Sequence, residues 1–414
     1  MFNISTDFIY SIIARGSSIF CQMLIMVSFS QLYGAKELGI YALVISIATP
    51  VIVFCYCDIV QIIHSRKIEK ANIVNIISGN ILLIVISFLF VTFLFFYNVI
   101  NYSVGLLYLV IFMLKSSEYL SQTTHAILRV NKHFKLFLIL TLVRQVLLVI
   151  GILITFFNPL EPYMFFFFIL VASILFNLVE IKIIIRFGWT CDVPELKAIF
   201  NFYYKYKQLG ISGCIKNLGS RFNRYFIFAM YGTVIMGLCA PIFWMLNALS
   251  TLATSLENVI APKLTLLIKN HEYDLFIRKS VYYIINLLLL NILIILSIYY
   301  LGGFYLGLFG LEGLTKDYNK YLNLISIAWL ILSLKMICKP VSIATIGVNS
   351  QTKIEVFNQV VQIISVVVLT YSFGLYGFFL SYLIGGLISV FAYFILIYRS
   401  ILTFKKLSDT SQVT

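Results

Sequence analysis

The sequence predicts an all-α polytopic membrane protein, and three observations carry that prediction. Hydrophobic residues fill 61% of the 414 positions and charged residues only 11%, with a mean hydropathy of +0.99. Soluble domains carry about 45–50% apolar and about 25% charged residues, so this chain holds more apolar surface than a core could bury. The apolar residues come in continuous runs rather than alternating, which fits spanning helices and excludes an outer-membrane barrel. The basic residues cluster at every second connection between runs, the signature of a multi-pass topology.

Taking about 20 apolar residues per crossing, the runs predict about twelve helices, at 8–31, 39–63, 73–97, 104–127, 135–157, 163–185, 208–231, 234–261, 281–309, 321–346, 354–372 and 376–398. The connections are short, and none could hold a folded soluble domain. The first run is itself a spanning helix, with no signal-peptide pattern of basic flank, short core and cleavage site. With the N-terminus placed in the cytoplasm, 19 of the 30 Lys and Arg residues fall in cytoplasmic segments and 3 (Lys36, Lys316 and Lys320) on the other side. This asymmetry orients both termini to the cytoplasm. It also accounts for the net charge of +14 as an orientation signal, so no nucleic-acid partner is expected.

The two halves of the chain echo each other. Tyr33-Gly34 followed by Gly39 is repeated as Tyr231-Gly232 followed by Gly237, at an offset of 198 residues. The segment VNKHFK (Val130 to Lys135) has a counterpart in VNSQTK (Val348 to Lys353). Two six-helix lobes are therefore expected, 1–190 and 191–400, followed by a short cytoplasmic tail at 401–414. An even helix number per lobe gives parallel repeats with a substrate path between them.

The remaining 8 basic residues lie inside spans: Arg15, Lys115, Arg144, Lys216, Arg221, Arg224, Lys335 and Lys339. Ionisable groups at that depth are costly and usually face a protein interior or a water-filled cavity. Gly210, Gly213, Asn217, Ser220, Arg221 and Arg224 share an arc of roughly 100° on helix 7. Ser11, Arg15, Ser18 and Gln22 share roughly 60° on helix 1. Arg15, Lys216, Arg221 and Arg224 are thus the expected lining of a cationic substrate cavity. Gln22, Asp58, Lys115, Glu118, Asn217, Asn247, Glu257 and Lys335 are expected as further lining or as coupling groups. Lys115 and Glu118, three apart, are close enough to pair; Lys335 has no acid near it in sequence. For the Ser and Thr stripes alone, helix packing is the better explanation.

Guanidinium forks match phosphate oxygens, so a basic cavity suits a pyrophosphate or acidic sugar better than a cationic drug. Seven cysteines lie mostly in apolar spans and form no framework, and the four histidines fall at helix ends or loops without zinc-like spacing. No metal site and no cofactor are expected. No nucleophile and base are presented together in a loop, so the chain is not expected to be an enzyme.

Four stretches carry a family resemblance: LYGAKELGIYALVIS (Leu32 to Ser46), MYGTVIMGLCAPIFW (Met230 to Trp244), CDIVQIIHSRK (Cys57 to Lys67) and FGLYGFFLSYLIGGLIS (Phe373 to Ser389). With the span count and repeat spacing, the chain resembles the O-antigen flippases and polysaccharide exporters of the multidrug/oligosaccharidyl-lipid/polysaccharide superfamily. That resemblance implies a fold like that of the multidrug exporters of the same superfamily. It implies transport of an undecaprenyl-pyrophosphate-linked oligosaccharide across the bacterial inner membrane by alternating access. Inner-membrane lipids and the polymerase or chain-length machinery are the implied partners, and a proton or sodium gradient the implied coupling. Related members often carry an acid beside the basic residue of helix 7; here the pair reads Asn223-Arg224, which puts acid-dependent coupling there in doubt. A drug or metabolite antiporter of the same fold, and a membrane-embedded O-antigen polymerase or glycosyltransferase, are the competing readings. The polymerase is disfavoured by short external loops without Arg or His.

Overall fold

The computed structural model describes residues 6–56, 63, 85, 89, 102–131, 133–157, 161–186, 196–270, 272–309, 315–346 and 348–411. These are helical almost throughout, in eight continuous stretches: α1 (Thr6–Cys55), α2 (Tyr102–Val130), α3 (Phe134–Phe157), α4 (Pro162–Arg186), α5 (Leu196–Lys269), α6 (Tyr273–Leu308), α7 (Thr315–Ile346) and α8 (Val348–Ser411). Six helical stretches among the described residues are long and apolar enough to cross a membrane. The predicted third span, 73–97, lies outside the described residues, as does Asp58.

Three of the eight stretches are pairs of predicted spans joined at a glycine kink. Gly34 (φ 78°, ψ −179°) breaks α1 between the first and second spans, and Gly232 (φ 79°, ψ −174°) breaks α5 between the seventh and eighth. Gly374 (φ 61°, ψ −143°) does the same in α8. Positive φ with ψ near 180° is a region open essentially to glycine alone. The Tyr-Gly repeat seen in the sequence is therefore a repeat of backbone conformation: Gly34 and Gly232 agree within a few degrees.

Helix starts differ from expectation where polar segments continue a helix instead of forming a loop. The stretch 186–207 was expected to connect spans, yet α5 begins at Leu196. No Gly or Pro interrupts it before Gly210, and its Lys and Tyr side chains support one another: Lys207 Nζ lies 4.0 Å from the Tyr204 ring and Lys205 Nζ 5.4 Å from that of Tyr206. Such contacts allow a helix to leave the apolar slab without losing side-chain support. α8 likewise runs on to Ser411, through the residues expected as a tail.

The described residues group into two compact units, Met1–Pro241 and Ile242–Thr414. In the first, Ala48, Ile52, Phe112, Ala126, Ile127 and Ile184 form a shared apolar core of α1, α2 and α4. Beside it the Tyr41 and Phe166 rings stack at 4.7 Å. In the second, Leu264, Phe276 and Val341 join α5, α6 and α7, and Tyr393 is wholly buried with Cys338 and Ile354. Outward faces are apolar, as on α3 and α4 at Val146, Leu153, Leu175 and Leu178, the surface a helix presents to lipid.

Candidate functional site

Of the predicted polar arc of helix 7, Gly210 and Gly213 are buried, Asn217, Arg221 and Arg224 are half-buried and Ser220 is exposed, while Ile211, Ile215 and Leu218 on the other side are 45–56% exposed. The same helix carries two arginines against α1. Arg221 Nη1 donates to the Ile45 carbonyl at 3.4 Å, and Arg224 Nη1 to Ser46 Oγ at 3.4 Å. The Tyr225 hydroxyl donates to the Ser46 carbonyl.

Pro50 explains why α1 offers oxygens there. Proline has no N–H, so the carbonyl four residues earlier loses its helical donor. That carbonyl is Ser46, and Tyr225 supplies the missing hydrogen bond. Arg221 Nε is buried with no partner among the described residues, so one donor of its fork remains unspent.

From α2 come Lys115 and Glu118, paired at 2.7 Å as their spacing predicted. Tyr41 lies within electrostatic range of both Glu118 and Arg224, and Arg221 within range of Tyr119 and Tyr225. The structure thus gathers four of the expected residues, Arg221, Arg224, Lys115 and Glu118, around Tyr41 and Ser46 inside one unit. Three carry positive charge and one negative, which leaves a surplus of two. A weakly solvated site with that surplus favours a doubly charged anion, and fork-shaped donors favour phosphate oxygens.

Other expected residues lie elsewhere. Arg15 sits near Arg129 at the end of α2, within electrostatic range of it. Ser18 is a packing residue, accepting from Gln145 Nε2 at 3.1 Å. Gln22 is exposed, and Asn217 turns its amide back to the Gly213 carbonyl at 2.9 Å. Lys335 does have an acid: Glu355, twenty residues on in α8, lies 3.3 Å away and also accepts from the Tyr393 hydroxyl at 2.9 Å. The side chains of Lys216, Asn247 and Glu257 lie outside the described residues.

Sequence reasoning missed a buried polar network between α2, α3 and α4. Arg144 donates to Ser173 Oγ at 2.8 Å, Ser173 and Ser117 share a hydrogen bond of 2.7 Å, and Asn177 Nδ2 donates to Ser117 Oγ at 2.7 Å. One turn along, Glu180 accepts from Ser121 at 2.8 Å and pairs with His125 Nε2 at 2.9 Å. His125, expected at a helix end, is therefore an interior group. The signal was present: 117, 121 and 125 share a helical face, as do 173, 177 and 180.

No protein-family model matches the chain, and no curated protein does. Solved structures do resemble it. One is described as the outward-facing conformation of a multidrug resistance MATE family transporter of the MOP superfamily; it covers 96% of this chain and 95% of its own at a TM-score of 0.69 and 12% identity. A MATE structure in complex with MaD3S gives 0.70 at 12% identity over the same shares. A mutant of the Vibrio cholerae MATE transporter VcmN gives 0.66 at 14% identity over 96% of each chain. The chain is an all-helical membrane protein with the fold of MATE transporters.

Proposed function

We propose that the protein is a flippase for a lipid-linked oligosaccharide, carrying a pyrophosphate-bearing headgroup across the bacterial inner membrane on the polar face of its helices. The observation that carries this reading is the surplus of two positive charges among Arg221, Arg224, Lys115 and Glu118. A cationic drug would be repelled by that constellation, whereas a pyrophosphate is attracted and can be gripped bidentately. Two six-helix lobes in a twelve-helix chain, with both termini cytoplasmic, complete the proposal and make the transfer one of alternating access. Coupling to a proton or sodium gradient is part of it. The second reading, a MATE-like drug or metabolite antiporter, is equally supported by the fold likeness, and Glu118 is the acid that favours it.

A deletion strain separates the two. The flippase reading expects loss of surface polysaccharide and accumulation of its lipid-linked precursor; the antiporter reading expects normal polymer and altered sensitivity to cationic dyes. Complementation with Arg224→Ala should fail at wild-type protein abundance. Arg224→Lys should restore part of the polymer, because a point charge replaces some binding but not the fork. Normal surface polymer in a deletion strain that has no second flippase gene would overturn the flippase reading.

A further inference from the structure

The network of α2–α4 and the arginine site of α5 leave two cations unaccounted for. Ala14 and Leu128 pack in one apolar cluster with Phe137, Leu140 and Phe176. Their sequence neighbours, Arg15 and Arg129, are consequently brought to the same place, where α1 meets the end of α2. Arg129 spends Nε on the His125 carbonyl at 3.3 Å, and its guanidinium carbon lies 5.5 Å from the centre of the Phe137 ring. Both arginines are half-buried. Among the described residues no carboxylate pairs with either one. Glu180, the acid of the α2–α4 network, is held by His125 and Ser121. The flanking ionisable side chains, Lys135, Lys182 and Arg186, are exposed and also basic.

Two guanidinium groups in a partly desolvated place repel each other and lack a counter-charge. An anion between them converts that repulsion into charge-assisted hydrogen bonds. We infer that Arg15 and Arg129 form a phosphate-binding site at the junction of α1 with the end of α2, separate from the Arg221–Arg224 constellation. The terminal turn of a spanning helix is at the level of lipid headgroups, so a phospholipid of the bilayer can supply the phosphate. The diphosphate of a lipid-linked substrate is the other source of the same chemistry. The assignment stands independently of what the protein transports.

The test uses the full chain purified in neutral detergent, with thermal unfolding followed as dioleoylphosphatidylglycerol, dioleoylphosphatidylcholine or inorganic pyrophosphate is added. Phosphatidylglycerol should raise the unfolding temperature of the wild type more than phosphatidylcholine does. Arg129→Gln and Arg15→Gln should each require about tenfold more lipid for the same shift, as loss of one charge-assisted hydrogen bond implies. Arg129→Lys, which keeps the charge and serves if the glutamine variant fails to fold, should fall between. A shift with phosphatidylglycerol alone assigns the site to the bilayer; a shift with pyrophosphate that the same variants weaken assigns it to the substrate's phosphates. Equal shifts in wild type and all three variants, or no shift of the wild type with either anion, would overturn the inference. Arg224→Ala should leave the phosphatidylglycerol shift unchanged, which keeps failure here distinct from failure of the flippase reading.

Discussion

Glu180→Ala is expected to destabilise the protein by about 2–6 kcal/mol, because it leaves two buried donors without their acceptor at about 1–3 kcal/mol each. Glu180 is wholly buried. Its carboxylate is the acceptor for Ser121 Oγ and the partner of His125 Nε2. Truncation to alanine strands both donors in a place that water does not reach, and each stranded group carries its own desolvation cost. It also leaves Arg144 as a buried cation with one acid fewer near it. Glu180→Gln is the informative companion. Its amide oxygen can still accept from Ser121, so it should lose less, about 1–3 kcal/mol, the difference between a charged and a neutral acceptor. Thermal and denaturant unfolding of the full chain in detergent would measure both. A loss under about 1 kcal/mol for the alanine variant would mean that the network is not a stabilising element.

That network marks where the sequence could be read and where it could not. The all-helical, membrane-spanning character followed from apolar run length, and the joints at Gly34, Gly232 and Gly374 from a residue type that alone tolerates those angles. Lys115 and Glu118 were legible because their pairing lies within one helix. Lys335 and Glu355 were not, because their partnership crosses from α7 to α8 and sequence distance carries no trace of it. The same holds for Arg144, whose partner Ser173 is on another helix. Serines read singly look like packing residues; only three polar residues on one face (Ser117, Ser121 and His125), opposite three on a second helix (Ser173, Asn177 and Glu180), announce a network. Helix 1 shows the converse. Arg15 of its polar arc is expected in the same cavity as Arg221 and Arg224, yet it goes with Arg129 of α2 while Ser18 faces α3, since an arc of 60° can still meet two neighbours. The role of Pro50 was missed because proline acts on another residue's carbonyl, here that of Ser46, whose new donor comes from α5.

The kinks at Gly34 and Gly232 bring two further glycines into contact, and their replacement should be as costly as any substitution in the chain. A Cβ on Gly39 would fall well inside 3.0 Å of the Thr233 carbonyl oxygen, 2.8 Å from its carbon and 3.0 Å from Gly237 N. A Cβ on Gly237 would meet Ala35 in the same way and lie 2.9 Å from Gly39 N. The crossing is reciprocal, as expected of two copies of one turn meeting across a local two-fold relation. Each obstacle is backbone, so no rotamer change relieves it, and the helices must part by about an ångström or more to admit a methyl group. Gly39→Ala and Gly237→Ala should each cost about 1–3 kcal/mol. The double variant should cost clearly less than their sum, because one separation relieves both clashes. Gly34→Ala acts differently. There a Cβ meets nothing within 4 Å, and the penalty is backbone strain of about 1–3 kcal/mol. Gly34→Asn should be no better, since ψ near 180° lies outside the left-handed helical region that asparagine tolerates. Combined with Gly39→Ala it should approach additivity unless the crossing itself shifts. Thermal unfolding of the single variants and both double variants reads all of these at once. Strict additivity of Gly39→Ala with Gly237→Ala would show that the two glycines do not share one crossing.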